Sequence, residues 1–316
     1  MKTLKWTAVG AAVLSLWAGV VQAEEWTPKK PIEIVVGFAP GGGSDQAARM
    51  IAAAAQESFA VPLVVTNKPG AAGVLAAQQV SRSKPDGYTL LVAGGSETTS
   101  VPAHREVPYD PSKDFTSVIR LTNNPFFLIV AANSPLNTID DVIAAAKARP
   151  GQLSLANIGL GGLSHSIGVM IERASGVTLK HVPYQGGSPA IQALIAGQID
   201  VAIGATEEIE GQMQANTIRI LAGTGAERSS HYPDVPTLKE GGFDVVCTNM
   251  KGLVGPAGLP ANVVKYLHDH FHQAMDRDVW RKFAERVGEP TNYQDATGFA
   301  SAQQAQLGRI SAALKQ

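Results

Sequence analysis

Residues 31–45, PIEIVVGFAPGGGSD, decide the fold of this 316-residue chain. The Ile and Val residues of 32–36 favour a β-strand, and the alanine-rich segment 46–57 favours a helix. Three consecutive glycines join the two elements and allow a tight turn, after which Ser44 or Asp45 can cap the helix. A strand, a glycine turn and a helix in this order form the first unit of an α/β fold.

The same unit recurs along the chain. A second strand at 62–65 precedes a glycine turn at 69–73 and a helix that runs through Ser81, and a third strand follows at 89–93. The pattern is interrupted around 109–111 and then resumes. The later part contains predicted strands at 153–156, 179–182, 200–203, 218–222 and 243–247, shorter strand-like segments at 118–120 and 126–131, and helices at 164–174, 189–196, 262–287 and 297–314. Apolar strands that alternate with helices predict parallel sheets covered on both faces.

Two such series predict two α/β lobes joined by crossing segments. We expect the first lobe to comprise residues 24–124 and 248–316 and the second lobe 125–247. Ligands of open α/β sheets bind at the carboxyl ends of the strands, where the glycine turns lie. The sequence therefore predicts a cleft between the lobes, lined by these turns.

The composition narrows the class of partner. The formal net charge is −1, with 45% hydrophobic and 17% charged residues, so the chain lacks the basic surface that binds nucleic acid or an anionic membrane. A single cysteine, Cys247, excludes an internal disulfide framework and a multi-cysteine metal site. We expect it to be a buried, inert thiol.

Residues 1–23 have the pattern of a secretory signal peptide. Lys2 and Lys5 precede an uncharged, mostly apolar stretch at 6–21, and Ala23 ends a small-residue cleavage site. The alternative is a membrane anchor, but the uncharged stretch is shorter than the ~18–20 residues of a span. The sequence predicts export and cleavage, which places the mature protein in the periplasm.

The glycine turns are candidate anion sites. The free N–H groups of a helix's first turn, together with the helix dipole, attract negative charge. The turn at 37–45 is repeated at 69–73, and two further turns open helices at 157–165 and 184–188. The glycines of any single turn are also explained by a tight turn with a good helix cap. The prediction of an anion site therefore depends on several of these turns facing one cleft.

Other kinds of site are poorly supported. The GxG at 159–161 continues with Ser164 where a dinucleotide fingerprint needs its third glycine, and the chain has no P-loop. Ser164 and His165 are adjacent, so they do not face each other as a hydrolase pair would on a helix. His268 and His272 are four apart but lack the carboxylate of a zinc motif. We expect no catalytic residue, no metal site and no cofactor.

Motifs along almost the whole mature chain resemble one family. They are GFAPGG at 37–42 with Asp45 and Arg49, NKPGAAG at 67–73, PDGYTLL at 85–91, YDP at 109–111, HVPY at 181–184, PDVPT at 233–237 and the crossing segment 252–260. In this order they resemble the solute-binding proteins of tripartite tricarboxylate transporters, the Bug family. The resemblance implies a bilobal type II periplasmic binding protein fold with a hinge, closing as a monomer on a small organic carboxylate. It also implies delivery to a two-component membrane permease.

The resemblance implies the ligand contacts as well, largely backbone amides and hydroxyls. In the first lobe these are Phe38, Ala39, Pro40, Gly41, Gly42, Gly43, Ser44, Asp45, Ala71, Ala72 and Gly73, to which the hydroxyl-rich end of the third strand adds Ser96. In the second lobe they are Gly161, Gly162, Ser164, His165, Gln185, Gly187 and Ser188.

Two departures from the family pattern bear on the ligand. Met250 stands where family members commonly have Trp, and Glu97 follows the third strand. A carboxylate at Glu97 would repel an acidic ligand unless it is protonated, points away or accepts a hydrogen bond from the ligand. An aromatic carboxylate of the phthalate type and a citrate-like acid both stay open, as does a role in which the liganded protein meets a sensor instead of a permease.

Overall fold

The computed structural model describes residues 26–288 and 292–315. The predicted signal peptide lies outside these ranges. Within them, no helix combines the length and the apolar composition needed to cross a membrane.

Ten strands and ten helices follow one another along the described chain. In order they are β1 (Ile32–Val36), α1 (Gly43–Ala55), β2 (Leu63–Asn67), α2 (Val74–Ser81), β3 (Thr89–Ala93), α3 (Val101–His104), β4 (Phe115–Ala131), α4 (Ile139–Ala148), β5 (Ser154–Asn157), α5 (Leu163–Ser175), β6 (Lys180–Pro183), α6 (Gly187–Ile195), β7 (Val201–Ala205), α7 (Thr206–Gln214), β8 (Ile218–Gly223), β9 (Thr248–Pro256), α8 (Ala261–Ala274), α9 (Asp278–Arg286), β10 (Gln294–Asp295) and α10 (Ala296–Lys315).

The strands form one continuous sheet with two halves. The order is β2-β1-β3-β9-β4-β7-β5-β6, with β8 and β10 also paired to β4. β1 is parallel to both β2 and β3, and β5 is parallel to both β6 and β7, which confirms the predicted α/β class. Below, "first lobe" means the half around β1–β3 and "second lobe" the half around β5–β8. The lobe bounds expected from the sequence stay a prediction.

Two long antiparallel strands connect the halves. β4 has 17 residues and pairs with β9 from Phe115 opposite Pro256 to Pro125 opposite Thr248. Beyond Pro125, the same strand pairs with β7 and β8 of the second lobe. The sequence predicted two separate strand segments here, which was wrong because Pro125 changes the pairing partner without ending the strand.

Each half of the sheet has its own apolar core. In the first lobe, Ile34 and Leu90 pack in one cluster with Phe271 of α8 and Trp280 of α9. Phe126, Leu155 and Ile167 belong to the second-lobe cluster, and so does Cys247, which is 3% exposed. Burial raises the pKa of the Cys247 thiol to about 12, which confirms the predicted buried, unreactive cysteine.

Three further expectations are corrected. Residues 243–247 form no strand, and β9 begins only at Thr248. The helix predicted at 262–287 is two helices, because the chain turns between Ala274 and Asp278 without a glycine or proline to signal it. The hydroxyl-rich segment at 96–100 does not end the third strand but forms a helical turn that leads into α3.

Gly252 of β9 provides a test of how tightly the connecting strands pack against α10. A Cβ atom there would lie 2.4 Å from the carbonyl oxygen of Ile119 in β4 and 2.5 Å from the ring of Phe299 in α10. Gly252→Ala is therefore expected to lower the free energy of unfolding by about 1–3 kcal/mol, the usual cost of overpacking.

The matched control is Gly308→Ala, because Gly308 lies in the interior of α10 and a Cβ there meets nothing within 4 Å. This control should stabilise the protein by about 1 kcal/mol, since alanine is the better helix former. Urea unfolding of both variants measures the two effects. Equal stability of Gly252→Ala and the wild type would contradict this account of the packing.

Candidate ligand-binding site

The glycine turns of the two lobes face each other across a cleft. The turn after β1 meets the start of α6, where the Ala39 amide donates to the Gln185 carbonyl at 3.1 Å and the Ser188 hydroxyl donates to the Gly41 carbonyl at 2.9 Å. These turns follow the carboxyl ends of β1 and β6, the edge at which open α/β sheets bind ligands. The structure thus brings together two of the turns that the sequence singled out.

A second set of contacts joins the segment after β3 to the start of α5. The Ser96 hydroxyl accepts a hydrogen bond from the Leu163 amide at 2.9 Å, and the Ser100 hydroxyl donates to the Gly161 carbonyl at 2.8 Å. Both hydroxyls are buried. The helical turn at 96–100 therefore positions side chains against the second lobe, and Ser100 takes part in this contact although it was not predicted to.

Glu208 occupies the N-terminus of α1. One of its carboxylate oxygens accepts from the Gly43 amide of the first lobe at 3.0 Å, and the other accepts at 3.1 Å from the amide of Ala205, the N-cap residue of its own helix. The same carboxylate fills the space over Gly187, the first residue of α6, and leaves no room for a side chain there. It therefore holds the position between helix N-termini that the sequence assigned to the ligand's carboxylate.

Glu207 adds a second carboxylate from the start of α7. It forms an ion pair with Lys251 of β9, and these two residues are only 4% and 1% exposed. Its side chain lies directly over Gly43, and its second oxygen, Oε2, is buried without a hydrogen-bond partner. A buried charge pair is stable only with good geometry and further hydrogen bonds, so this unsatisfied oxygen is energetically costly.

Glu97 is the third buried carboxyl group beside the cleft. It is 2% exposed, and its Oε1 accepts from the Gly95 amide at 3.2 Å. Burial raises the pKa of Glu97 from an ordinary value of 4.5 to about 7. Burial also raises the pKa of Glu208, with the neighbouring Glu207 as the second cause. Both groups hold their protons more tightly because burial removes the charged carboxylate from water, and at Glu208 the charge of Glu207 adds to this effect.

Two cavities lie between the lobes and share Phe38 and Ile158 in their walls. The inner cavity is about 20 Å³, room for one water-sized group. It is lined by Gly42, Gly43, Ser44, Gly95, Ser96, Phe126, Gly186, Gly187, Glu208 and Asn249 as well. The outer cavity is about 260 Å³ and has Gly37, Gly70, Ala71, Ala72, Arg105, Gly159, Leu160, Pro183, Tyr184 and Gln185 in its walls.

The remaining predicted residues shape the loops around these cavities. The fully buried Ser164 hydroxyl accepts from the Ile158 amide at 2.9 Å, and His165 Nδ1 accepts from the Gly161 amide at 3.2 Å. Asp45 accepts from the Gly41 amide and pairs with Arg49. Gly162 and Gly73 sit in crowded turns, and Pro40 is exposed.

The histidine beside the cleft carries little positive charge. Burial lowers the pKa of His165 to about 4, and His181 and His104 are the further causes. Burial lowers the pKa of His104 as well. Met250, which stands where family members commonly have Trp, is buried. It packs behind Gly94 in the apolar cluster that contains Phe299.

Sequence reasoning missed four polar residues of the cleft: Arg105, Glu207, Glu208 and Asn249. The last three could have been suspected, because they follow β7 or lie on β9, whose ends meet the same edge of the sheet. The sequence gives no such signal for Arg105, which follows the short helix α3.

Two α/β lobes with helix N-termini facing across a cleft define a bilobal solute-binding protein. A family model described as "Tripartite tricarboxylate transporter family receptor" matches residues 47–316, and the chain belongs to this family. This confirms the resemblance identified from the sequence motifs.

Curated relatives cover most of the chain. The UPF0065 protein in the gbd 5′ region of Cupriavidus necator is 35% identical over 294 residues, which span 93% of this chain and 89% of that protein. Protein BugT of Bordetella pertussis is 30% identical over 277 residues, 86% of this chain and 85% of BugT.

Solved structures share the fold. The periplasmic binding protein BugD superposes with a TM-score of 0.84 at 28% identity, covering 91% of this chain and 97% of BugD. MatC from Rhodopseudomonas palustris with bound malate superposes with a TM-score of 0.85 at 28% sequence identity, covering 91% of this chain and 99% of MatC. A second R. palustris protein, with adipate, superposes with a TM-score of 0.84 at 27% sequence identity, covering 91% of this chain and 97% of that protein.

Glu97 predicts a specific pH dependence of stability. Because the pKa of Glu97 is raised from 4.5 to about 7 by folding, the folded state binds the proton more tightly between these values. Its stabilising contribution is complete below pH 4.5 and is lost as the pH rises through 7. The loss amounts to roughly 3 kcal/mol, from 1.36 kcal/mol per pKa unit.

Glu97→Gln should remove this loss, so the variant gains roughly 3 kcal/mol relative to the wild type between pH 4.5 and pH 8. Urea unfolding across that range measures the difference, and other titrating groups cancel in the comparison. Glu106→Gln, an exposed position nearby, is the control and should leave the pH profile unchanged. Parallel profiles for Glu97→Gln and the wild type would contradict the assignment.

Proposed function

We propose that this protein captures a small organic carboxylate between its lobes in the periplasm and delivers it to a two-component membrane permease. The observation that carries the proposal is the convergence of the α1, α5 and α6 N-termini on the cleft. Helix N-termini present backbone N–H groups and a positive dipole end, which attract an anion without a basic cluster. The predicted signal peptide at 1–23 and action as a monomer are part of this proposal.

The outer cavity suits such a ligand. Its volume of about 260 Å³ is near the lower end of the range for small-molecule pockets. Arg105 and the glycine-rich turns at 70–73 and 158–160 border it, so a carboxylate there meets a guanidinium and backbone amides. Among relatives in the family, one structure contains malate and another adipate, both dicarboxylates.

The chemistry of the cleft is that of binding rather than turnover. Ser164 and His165 each bond to a backbone amide of the loop that they stabilise. We therefore assign no catalytic residue and no cofactor in this proposal. Closure of the lobes would remove water from the acid and strengthen its contacts with the oriented amides.

The proposal is tested by calorimetry on the mature chain, residues 24–316. Malate, adipate, citrate, phthalate and a set of amino acids are titrated, and at least one organic acid should bind and raise the melting temperature. A ligand at 100 times its dissociation constant would stabilise the protein by about 2.7 kcal/mol. If no organic acid binds or stabilises the protein, the proposal is wrong.

Ser164→Ala tests whether the 158–165 loop forms part of the site. Loss of the hydroxyl leaves the Ile158 amide without its acceptor and loosens a residue that lines both cavities. The affinity for the ligand should fall by about 0.5–2 kcal/mol. Calorimetry with the ligand found in the screen provides the measurement.

Ser175→Ala is the matched control, because Ser175 lies at the other end of α5 and its hydroxyl donates to the Ile171 carbonyl. It should bind with wild-type affinity. An unchanged dissociation constant for Ser164→Ala would remove this loop from the site.

A further inference from the structure

The inner part of the cleft has an unusual charge balance. Glu207 and Glu208 come from the start of α7, and Glu97 lies behind Gly73 and Gly95 on the opposite lobe. Lys251 is the ammonium group that pairs with Glu207. Three carboxyl groups against one ammonium leave this region short of positive charge, although helix N-termini alone would suit a bound anion.

The neighbouring basic groups do not correct this balance. Arg49 is paired with Asp45, and the pKa of His165 is lowered to about 4, so its ring is neutral at physiological pH. Arg105 lines the outer cavity, where its guanidinium contacts the Ala71 carbonyl at 3.5 Å. Positive charge is therefore available at the outer end of the cleft, and carboxylates dominate the inner end.

The carboxylates are also incompletely satisfied. Glu207 is 4% exposed, its Oε1 atom lies against Gly43 at the N-terminus of α1, and its Oε2 atom is buried without a hydrogen-bond partner. Glu208 already occupies the Gly43 amide with one oxygen. A ligand carboxylate in the inner cavity would meet Glu208 in its wall, with Glu207 over the adjoining Gly43, and be repelled, whereas an N–H donor would find an acceptor in Glu208.

We propose that the solute is dipolar: it carries a protonated amine toward Glu208 in the wall of the inner cavity, and its carboxylate lies in the outer cavity near Arg105. The charge of Glu207, which lies over the adjoining Gly43, acts in the same direction. This rests on the proposed function, because it assumes that the solute binds in this cleft. The two cavities share Phe38 and Ile158 in their walls, so a short apolar chain between the two charged ends would pass these side chains. A cation at the inner end also compensates the buried carboxylates, which are costly while unpaired.

The test uses pairs of linear acids of similar length. Each pair has a carboxylate at one end and differs at the other, which is either an ammonium or a second carboxylate. The pairs are 4-aminobutanoate with succinate and 6-aminohexanoate with adipate, titrated by calorimetry at pH 7.5. The wild type should bind the better amino acid of the set at least tenfold more tightly than its matched diacid.

Two variants change the inner charge. Glu208→Gln keeps an acceptor for the Ala205 amide and removes one negative charge, so the preference for the amino acid should fall at least tenfold. Glu207→Gln leaves the Lys251 ammonium without its carboxylate, which should reverse the preference in favour of the diacid. Thermal unfolding checks that each variant folds. If Glu207→Gln does not fold, the ligand preference of Glu208→Gln alone tests the proposal.

Glu210→Gln is the matched control on the same helix, because Glu210 bonds to His231 and Tyr232 away from the cleft. It should keep the wild-type preference. If the diacids bind the wild type as tightly as the amino acids, the dipolar solute is wrong and the proposed carboxylate receptor stands. If none of these linear acids binds, the dipolar solute is wrong, and the proposed function is wrong as well only if the wider screen of organic acids also finds no ligand.

Discussion

A carboxylate from one lobe sits on a helix N-terminus of the other, and the closed arrangement of the cleft depends on this contact. Glu208 accepts from the Gly43 amide at the start of α1 and, through its second oxygen, from the amide of Ala205, the N-cap residue of its own helix. The first contact crosses the cleft, and the second fixes the side chain that makes it. A helix N-terminus favours a negative charge whatever its source. The protein therefore supplies at this position the kind of group that a ligand would otherwise bring.

This contact has a consequence for affinity. A closed state that is stabilised by protein–protein contacts forms without help from a solute, so less of the solute's binding energy is needed to bring the lobes together. The hydrogen bonds from Ala39 to Gln185 and from Ser188 to Gly41 act in the same direction. The solute then has to fit between groups that are already in place, and complementarity of charge becomes the main constraint.

The sequence was sufficient for the scaffold and for half of the cleft. The glycine turns were predictable because a strand, glycines and a helix N-terminus are adjacent in the chain, as at Gly41–Gly43. Glu208 was not, because its role depends on α7 lying opposite α1, and no local pattern specifies that distance. The break between α8 and α9 was missed for a similar reason: the turn at 275–277 contains no glycine or proline, and packing against the first-lobe core decides it.

The acidic side chains also explain how one fold can select among similar solutes. Backbone amides at helix N-termini attract any carboxylate, so they supply affinity for a broad class of acids and little discrimination. Specificity requires a group that penalises the wrong ligand. Glu207, Glu208 and Glu97 are such groups, because Glu207 and Glu97 are buried, Glu208 is half-buried, and a second ligand carboxylate beside them would be unpaired and desolvated. For the proposed dipolar solute, the carboxylates that are costly to bury are thus also the groups that would exclude a diacid from the inner end of the cleft.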